Sequence, residues 1–358
     1  MALSLKNISL NVDGQTHIHD TTVDLAPTGF NILLGTTLAG KTTLMRLMAG
    51  LVQPSAGEVW FNGQNVTGVP VQKRNVSMVY QQFINYPNWT VFDNIASPLK
   101  LAGVNSGEIS KRVEPVAELL RLGPFLKRKP SELSGGQQQR CAMARALVKD
   151  SDLVLLDEPL ANLDYKLREE LREELPKLFA ARERTVVYAT TEPSEALLLA
   201  GHTAAMYEGR ITQFGPTGEV YRRPVDKLTA GVFSEPPINL VHVTKSGDRF
   251  QTADGAAWDA HGAYRALADG EYEFGVRPHH VRPARGETDG ALIEGRVQVA
   301  EISGSESMVH FDTHGRSWVC LAHGVHNFSV GDSVTFHIEV DHSMVFNTNG
   351  ALVATLGD

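Results

Sequence analysis

Gly35-Thr36-Thr37-Leu38-Ala39-Gly40-Lys41-Thr42 follows the apolar run Phe30-Asn31-Ile32-Leu33-Leu34. It opens a stretch, Lys41 to Gly50, that carries Leu44, Leu47 and Met48 at helical spacing and stops at a glycine. The string fits G-x-x-x-x-G-K-[ST] in the strand–loop–helix context that this motif requires. The chemistry needs each part. Glycine lets backbone N–H groups turn inward around phosphates, Lys41 neutralises β- and γ-phosphate charge, the helix N-terminus adds its dipole, and Thr42 offers a hydroxyl to Mg²⁺. Gly35, Thr36, Thr37, Leu38, Ala39, Gly40, Lys41, Thr42 and Thr43 are therefore the candidate phosphate-binding residues. The bland alternative is a chance glycine turn with a surface lysine, and the rest of the chain decides between them.

Leu153-Val154-Leu155-Leu156-Asp157-Glu158 is an apolar strand run that delivers two carboxylates to its C-terminal end, where ligands collect in open parallel sheets. Asp157 is expected to hold Mg²⁺, and Glu158 to orient or deprotonate an attacking water. Two acids merely ending a strand would look the same in isolation. Between the two motifs, Leu133-Ser134-Gly135-Gly136-Gln137 heads a helix that runs on through Arg140 to Leu147. This string resembles the signature of ABC ATPases, although Ser134 alone could be an ordinary helix N-cap. Gln81, in Val79-Tyr80-Gln81, resembles the family's Q-loop glutamine, and Leu160-Ala161-Asn162-Leu163-Asp164 its D-loop.

The resemblance covers nearly the whole chain and implies an α/β P-loop domain with a helical subdomain, ATP and Mg²⁺ as ligands, and composite sites between two subunits. It implies Glu158, Gln81 and Thr191 as catalytic positions, and Thr42, Gln81 and Asp157 around the metal. It also implies that Ser134, Gly135, Gly136, Gln137 and Asp164 act on a nucleotide carried by a second subunit. Beyond Glu235-Pro236-Pro237 the texture changes to short alternating runs. Tyr272–Val276, Gly295–Ala300, Met308–Phe311, Trp318–Leu321 and Ser333–Val340 read as strands of a small barrel. Gly275-Val276-Arg277-Pro278-His279-His280-Val281 and Gly304-Ser305-Glu306 resemble the OB/TOBE-like regulatory domain behind carbohydrate-importer ATPases. The expected domains are 1–235, with helices near 87–150, and 236–358.

Three positions depart from the family pattern. Leu38 stands where another glycine is usual, which stiffens or crowds the loop. Val12 replaces an adenine-stacking aromatic, leaving His17 and His19, read as solvated loop residues, as doubtful substitutes. Thr191, after the strand Val186–Thr190, stands where the family has its switch histidine, and a threonine carries neither the charge nor the reach of an imidazole. A chain with a weakened P-loop side and an intact signature is expected to be one half of an unlike ATPase pair. The stretches Tyr80-Gln81-Gln82-Phe83-Ile84-Asn85-Tyr86-Pro87 and Thr190-Thr191-Glu192-Pro193 look similar to glycerol-importer ATPases.

Composition agrees. The 358 residues, 42% hydrophobic and 21% charged, suit a folded chain of about two domains, at ~150 residues each. The net charge of −8 argues against a broad nucleic-acid footprint. The opening residues lack a secretory pattern and no apolar run reaches the ~18 residues that cross a bilayer, so secretion is not expected. Two cysteines, Cys141 and Cys320, fall in different expected domains and read as inert thiols. The expected partners are membrane-spanning permease subunits, a second ATPase subunit and, indirectly, an extracytoplasmic binding protein. The expected place is the cytoplasmic face of the inner membrane. The rivals are a soluble non-transport ABC ATPase and a P-loop small-molecule kinase; the latter has no need of Leu133–Gln137.

Overall fold

The first elements are a hairpin, β1 (Leu3–Val12) and β2 (Gln15–Asp24), and then the apolar strand β3 (Gly29–Leu34). The glycine loop leads into α1 (Lys41–Ala49), followed by β4 (Ala56–Phe61), β5 (Gln64–Asn65) and β6 (Val76–Val79). Helices α2 (Val91–Leu101), α3 (Ser106–Leu119) and α4 (Gly135–Val148) come next. Then β7 (Leu153–Asp157), α5 (Tyr165–Ala180), β8 (Thr185–Thr190), α6 (Pro193–Leu199), β9 (His202–Tyr207) and β10 (Arg210–Pro216) complete this part of the chain. The structure, a computed structural model, describes residues 3–82, 84–180, 184–286 and 290–356; Phe83 of the Gln81 stretch lies outside the described residues.

These strands form two sheets, an antiparallel one ordered β2-β1-β4-β5 and a six-stranded one ordered β10-β9-β3-β8-β7-β6. In the second, β3 runs parallel to β8 and β9, and β7 parallel to β6 and β8. Every residue of β7 and β8 is buried, as is β3 from Phe30 on, which is why these strands read as unbroken apolar runs rather than alternating ones. Leu5, Ile8, Leu33, Leu44, Leu47, Leu155 and Val187 share one core, so α1 is held between the two sheets. The strand order sets the site. Because β3, β8, β7 and β6 are neighbours, their C-terminal ends deliver the glycine loop, Thr191, Asp157-Glu158 and Gln81 to one edge.

β2 and β3 are separate strands: Leu25–Thr28, with Pro27, part them, and β2 pairs with β1. Helix α2 is N-capped by Thr90, which accepts from Asp93 N–H at 3.1 Å.

The chain divides between Thr217 and Gly218 into two compact units, earlier than the expected 235/236. The second unit opens with the short helices α7 (Thr217–Arg222) and α8 (Lys227–Val232). The second unit takes in residues 218–235 because α8 is tied to its far end: Lys227 N–H donates to Gly350 O at 2.9 Å, and Lys227 Nζ pairs with Glu273 Oε2 at 2.6 Å. Its strands are β11 (Asn239–Ser246), β12 (Arg249–Thr252), β13 (Ala257–Asp259), β14 (Gly270–Val276), β15 (Val281–Pro283), β16 (Ala291–Ile302), β17 (Glu306–Thr313), β18 (Arg316–His323), β19 (Ser333–Ile338), β20 (Met344–Phe346) and β21 (Leu352–Thr355). They form sheets ordered β13-β12-β11-β14-β20-β21 and β15-β19-β16-β17-β18 around one aromatic core. Phe250, Trp258 and Phe274 come from the first sheet, and Phe311, Trp318 and Phe336 from the second. Phe311 stacks on Phe336 with centroids 3.9 Å apart. This is the expected mostly-β, barrel-like domain. Cys141 and Cys320 are both buried, which pushes each thiol up to about 12 and away from the reactive thiolate.

Candidate functional site

The glycine loop curls around the amine of Lys41. Nζ donates to the carbonyls of Gly35 at 2.8 Å and Thr36 at 3.0 Å, and lies 3.6 Å from Glu158 Oε1. The side chain is only 5% exposed, and burial lowers its pKa while Glu158 and Asp157 oppose that shift. Two glycines are required by space. A Cβ on Gly35 would stand 2.5 Å from Met206 O, and Gly40, at φ 97°, closely faces Ile18 and Gly209. Leu38 sits at φ 70° with its side chain 93% exposed at the rim. Its departure from glycine therefore costs backbone strain, about 1–2 kcal/mol for an L-residue in the left-handed region.

Asp157 ends β7 almost fully buried, and neither carboxylate oxygen has a hydrogen-bond partner of good geometry among the described residues. Burial raises its pKa, and the Thr42 side chain beside it draws it back. An unpartnered buried carboxylate next to a hydroxyl is an oxygen-only donor set that fits a hard cation such as Mg²⁺. Glu158 follows at φ 46°, a left-handed turn that lifts its carboxylate off the strand line toward Lys41 and Gln81. Gln81 Nε2 donates to Glu158 Oε2 at 3.1 Å.

Glu158 and Gln81 line a cleft of ≈600 Å³, large enough for a nucleotide, together with Thr37–Thr43, Gln15–His17, His19, Glu208 and Gly209. His17 and His19 lie on β2 rather than in a loop, and both face this cleft; Val12, 41% exposed, does not. A backbone relay fixes β2 to the loop: His19 N–H donates to Gly209 O at 2.9 Å and Gly209 N–H to Ala39 O at 3.0 Å.

Thr191 follows β8 half-buried and does not line the cleft. Behind it stands a charged cluster that no sequence motif announced. Glu195, 4% exposed, accepts from Tyr188 Oη at 3.0 Å and Thr190 Oγ1 at 2.6 Å, and Arg172 reaches it at 3.2 Å. Arg172 also grips Glu192 at 2.5 Å. Arg168 joins Glu192, at 3.3 Å, to the carbonyls of Ala161 and Leu163. The segment carrying Thr191 is thereby tied to the one carrying Asp164. The only signal was Arg168 and Arg172 at i, i+4 on α5, and their partners are about twenty residues away along the chain.

Ser134, Gly135, Gly136, Gln137 and Asp164 are not in the cleft lining. Ser134 caps α4 in a reciprocal box: Gln137 N–H donates to Ser134 Oγ at 3.4 Å, and Ser134 N–H to Gln137 Oε1 at 2.9 Å. A Cβ on Gly136 would stand 3.1 Å from Asn162 O. Asp164 caps α5, accepting from Leu167 N–H at 3.0 Å. Gln139, whose Nε2 donates to Pro159 O at 2.8 Å, joins α4 to the turn after Glu158 and was missed in the sequence.

Comparison with known proteins agrees with this geometry. The ABC transporter family matches residues 18–161 and the TOBE domain residues 274–346. The sn-glycerol-3-phosphate import ATP-binding protein UgpC of Burkholderia thailandensis is 39% identical, over 92% of this chain and 90% of that protein. An uncharacterised ABC transporter ATP-binding protein, YcjV, of Escherichia coli is 33% identical over 96% of this chain and 97% of its own length. Among solved structures, the post-hydrolysis dimer of the ATP-binding cassette MJ0796 with ADP and Pi superposes with a TM-score of 0.56 at 26% identity. It covers 60% of this chain and 98% of its own. With strand order, phosphate loop and paired carboxylates on one edge and a TOBE domain behind them, the chain belongs to the ATP-binding subunits of ABC transporters, ATPases that drive transport.

Proposed function

We propose that this subunit powers the uptake of a carbohydrate or polyol, and that it works as one half of an unlike ATPase pair. The observation that carries the catalytic part is the trio at the sheet edge, in which buried Lys41 and Asp157 meet part-exposed Glu158 with both Asp157 oxygens left unpartnered. In this reading Gly35–Thr43 wrap the phosphates of ATP, and Lys41 leaves the Gly35 and Thr36 carbonyls to meet the β- and γ-phosphates. Mg²⁺ held by Asp157, Thr42 and Gln81 would supply neutralising charge. Glu158, freed from Lys41 by the incoming phosphates, takes the proton of the attacking water, while Gln81 orients it. The Ser134–Gln137 helix start and Asp164 serve the site of the opposite subunit. Their position outside the cleft, with the α4 N-terminus capped but carrying Gly135 and Gly136, favours that arrangement.

The transported class rests on similarity. UgpC relatives are named for sn-glycerol-3-phosphate import, and a polyol phosphate is the substrate class to try first. No helix among the described residues is long and apolar enough to cross a membrane; in this reading permease partners hold the subunit at the cytoplasmic face of the membrane. Tyr86 and Trp89, both 45% exposed or more, ring a pocket of ≈350 Å³ beside α2 and α4 that suits a docking segment of such a permease. The unlike pair is supported by Thr191 at the switch position, with neither charge nor a place in the cleft. The test is ATP hydrolysis by the purified chain with Glu158→Gln, where this subunit's own site carries all the turnover. Loss of about 10²–10⁴-fold of this subunit's turnover with nucleotide still bound is expected. Undiminished hydrolysis would remove Glu158 from the mechanism.

A further inference from the structure

The second unit crosses between its two sheets twice, and both crossings run through short three-ten turns. Pro278–His280 joins β14 to β15, and Val340–His342 joins β19 to β20. The turns are brought together because β15 pairs with β19, Val281 opposite Ile338, and Glu339 N–H donates to His280 O at 2.9 Å. Three metal-ligating side chains converge there. His280 Nδ1 lies 3.0 Å from Glu339 Oε2, and the His280 and His342 rings stack with centroids 4.3 Å apart and planes 11° from parallel. One ligand atom from each of the three falls within 4.8 Å of the others.

We propose that His280, Glu339 and His342 form a transition-metal site of the zinc class. Two imidazoles and one carboxylate are the donor set that zinc takes with a coordination position left for water. Zn–N and Zn–O bonds of about 2.0–2.2 Å place tetrahedral ligand atoms roughly 3.3 Å apart. Closing from 4.8 Å therefore needs the exposed His342 ring to turn out of its stack on His280, so that both imidazoles aim a nitrogen at one point. The backbone is already set by the Glu339–His280 hydrogen bond. His279 stacks on His280 at 4.2 Å and Arg282 Nε stands 3.9 Å from Glu339 Oε1; neither belongs to the ligand set. An ion here clamps the two crossings together, and with them the two sheets of the TOBE-bearing unit.

The test uses the untagged, metal-stripped full chain, titrated with Zn²⁺ by calorimetry and with Co²⁺ by its visible absorption. Wild type is expected to bind one Zn²⁺ at this site in the micromolar range or tighter, with tetrahedral Co²⁺ bands and a raised Tm. His342→Ala, which removes an exposed side chain and leaves the core intact, and the isosteric Glu339→Gln each lose about 100-fold or more in affinity and the Tm rise, on the scale of deleting a ligand. Two results overturn the proposal: no Zn²⁺ uptake by wild type, or uptake that both variants retain, which assigns the ion to scattered surface histidines among the 13 in the chain.

Discussion

The two nucleotide-facing parts of the first unit are built in opposite ways. On the P-loop side, polar groups are buried and incompletely partnered: Asp157 has two unpartnered oxygens, Lys41 is 5% exposed, and Leu38 and Glu158 hold positive φ. On the signature side, Ser134, Gln137 and Asp164 satisfy the helix starts of α4 and α5 within the chain itself. One side stores unfavourable desolvation and strain that an incoming phosphate and cation relieve; the other is complete as local structure and offers a preformed N-terminus. The difference is the one the proposed composite site would require, with chemistry on one sheet edge and presentation on its neighbouring helix.

The comparison breaks most readily at the cluster behind Thr191. Arg172→Met leaves Glu195, 4% exposed, and Glu192 without their main counter-charge, and is expected to destabilise the first unit by about 3 kcal/mol in urea denaturation. A loss under 1 kcal/mol would show that the cluster is solvated and does not fix the segment that carries Thr191. On the signature side, Ser134→Ala removes the α4 cap and is expected to cost about 1 kcal/mol, read the same way.

Asp157→Asn reverses the sign and has the smallest effect. Burial raises the folded-state pKa of Asp157 above its ordinary 3.8, so its contribution to stability is fully present below the unfolded value and is lost as pH rises through the folded one. At pH 7 without nucleotide, the asparagine variant is expected to be more stable than wild type, and the gap to close as pH falls below 3.8. Equal stability at pH 7 would mean that the carboxylate is solvated or paired in the free chain, and the contrast between the two sides would fail.

The parts legible in the sequence are those whose signal is local. Phe30–Leu34 and Leu153–Leu156 are buried on both faces and so read as continuous apolar runs, and Gly35–Thr42 carries its own spacing. The signature announced α4 in the same way. What escaped depends on partners distant in the chain. β2, with its Gln-Thr-His-Ile-His-Asp sequence, is mostly exposed and forms because β1 pairs with it, so no alternation marked it and His17 and His19 were read as loop residues. Arg168, Arg172, Glu192 and Glu195 meet only when α5 packs beside the segment after β8, and nothing in their spacing says so. In the second unit β11–β13 escaped as well, since short runs interrupted by Gly, Asp and His show their pairing only once the core has formed.

The most direct test of the divided site is steady-state ATPase activity of the purified chain beside its Thr191→His variant. The account predicts slow hydrolysis by the wild-type chain alone and about a tenfold or greater increase on restoring an imidazole, since one added electrostatic contact to the transition state is worth that much or more. Fast wild-type hydrolysis that Thr191→His leaves unchanged would contradict it, making Thr191 a competent switch residue and a pair of identical subunits the simpler assembly.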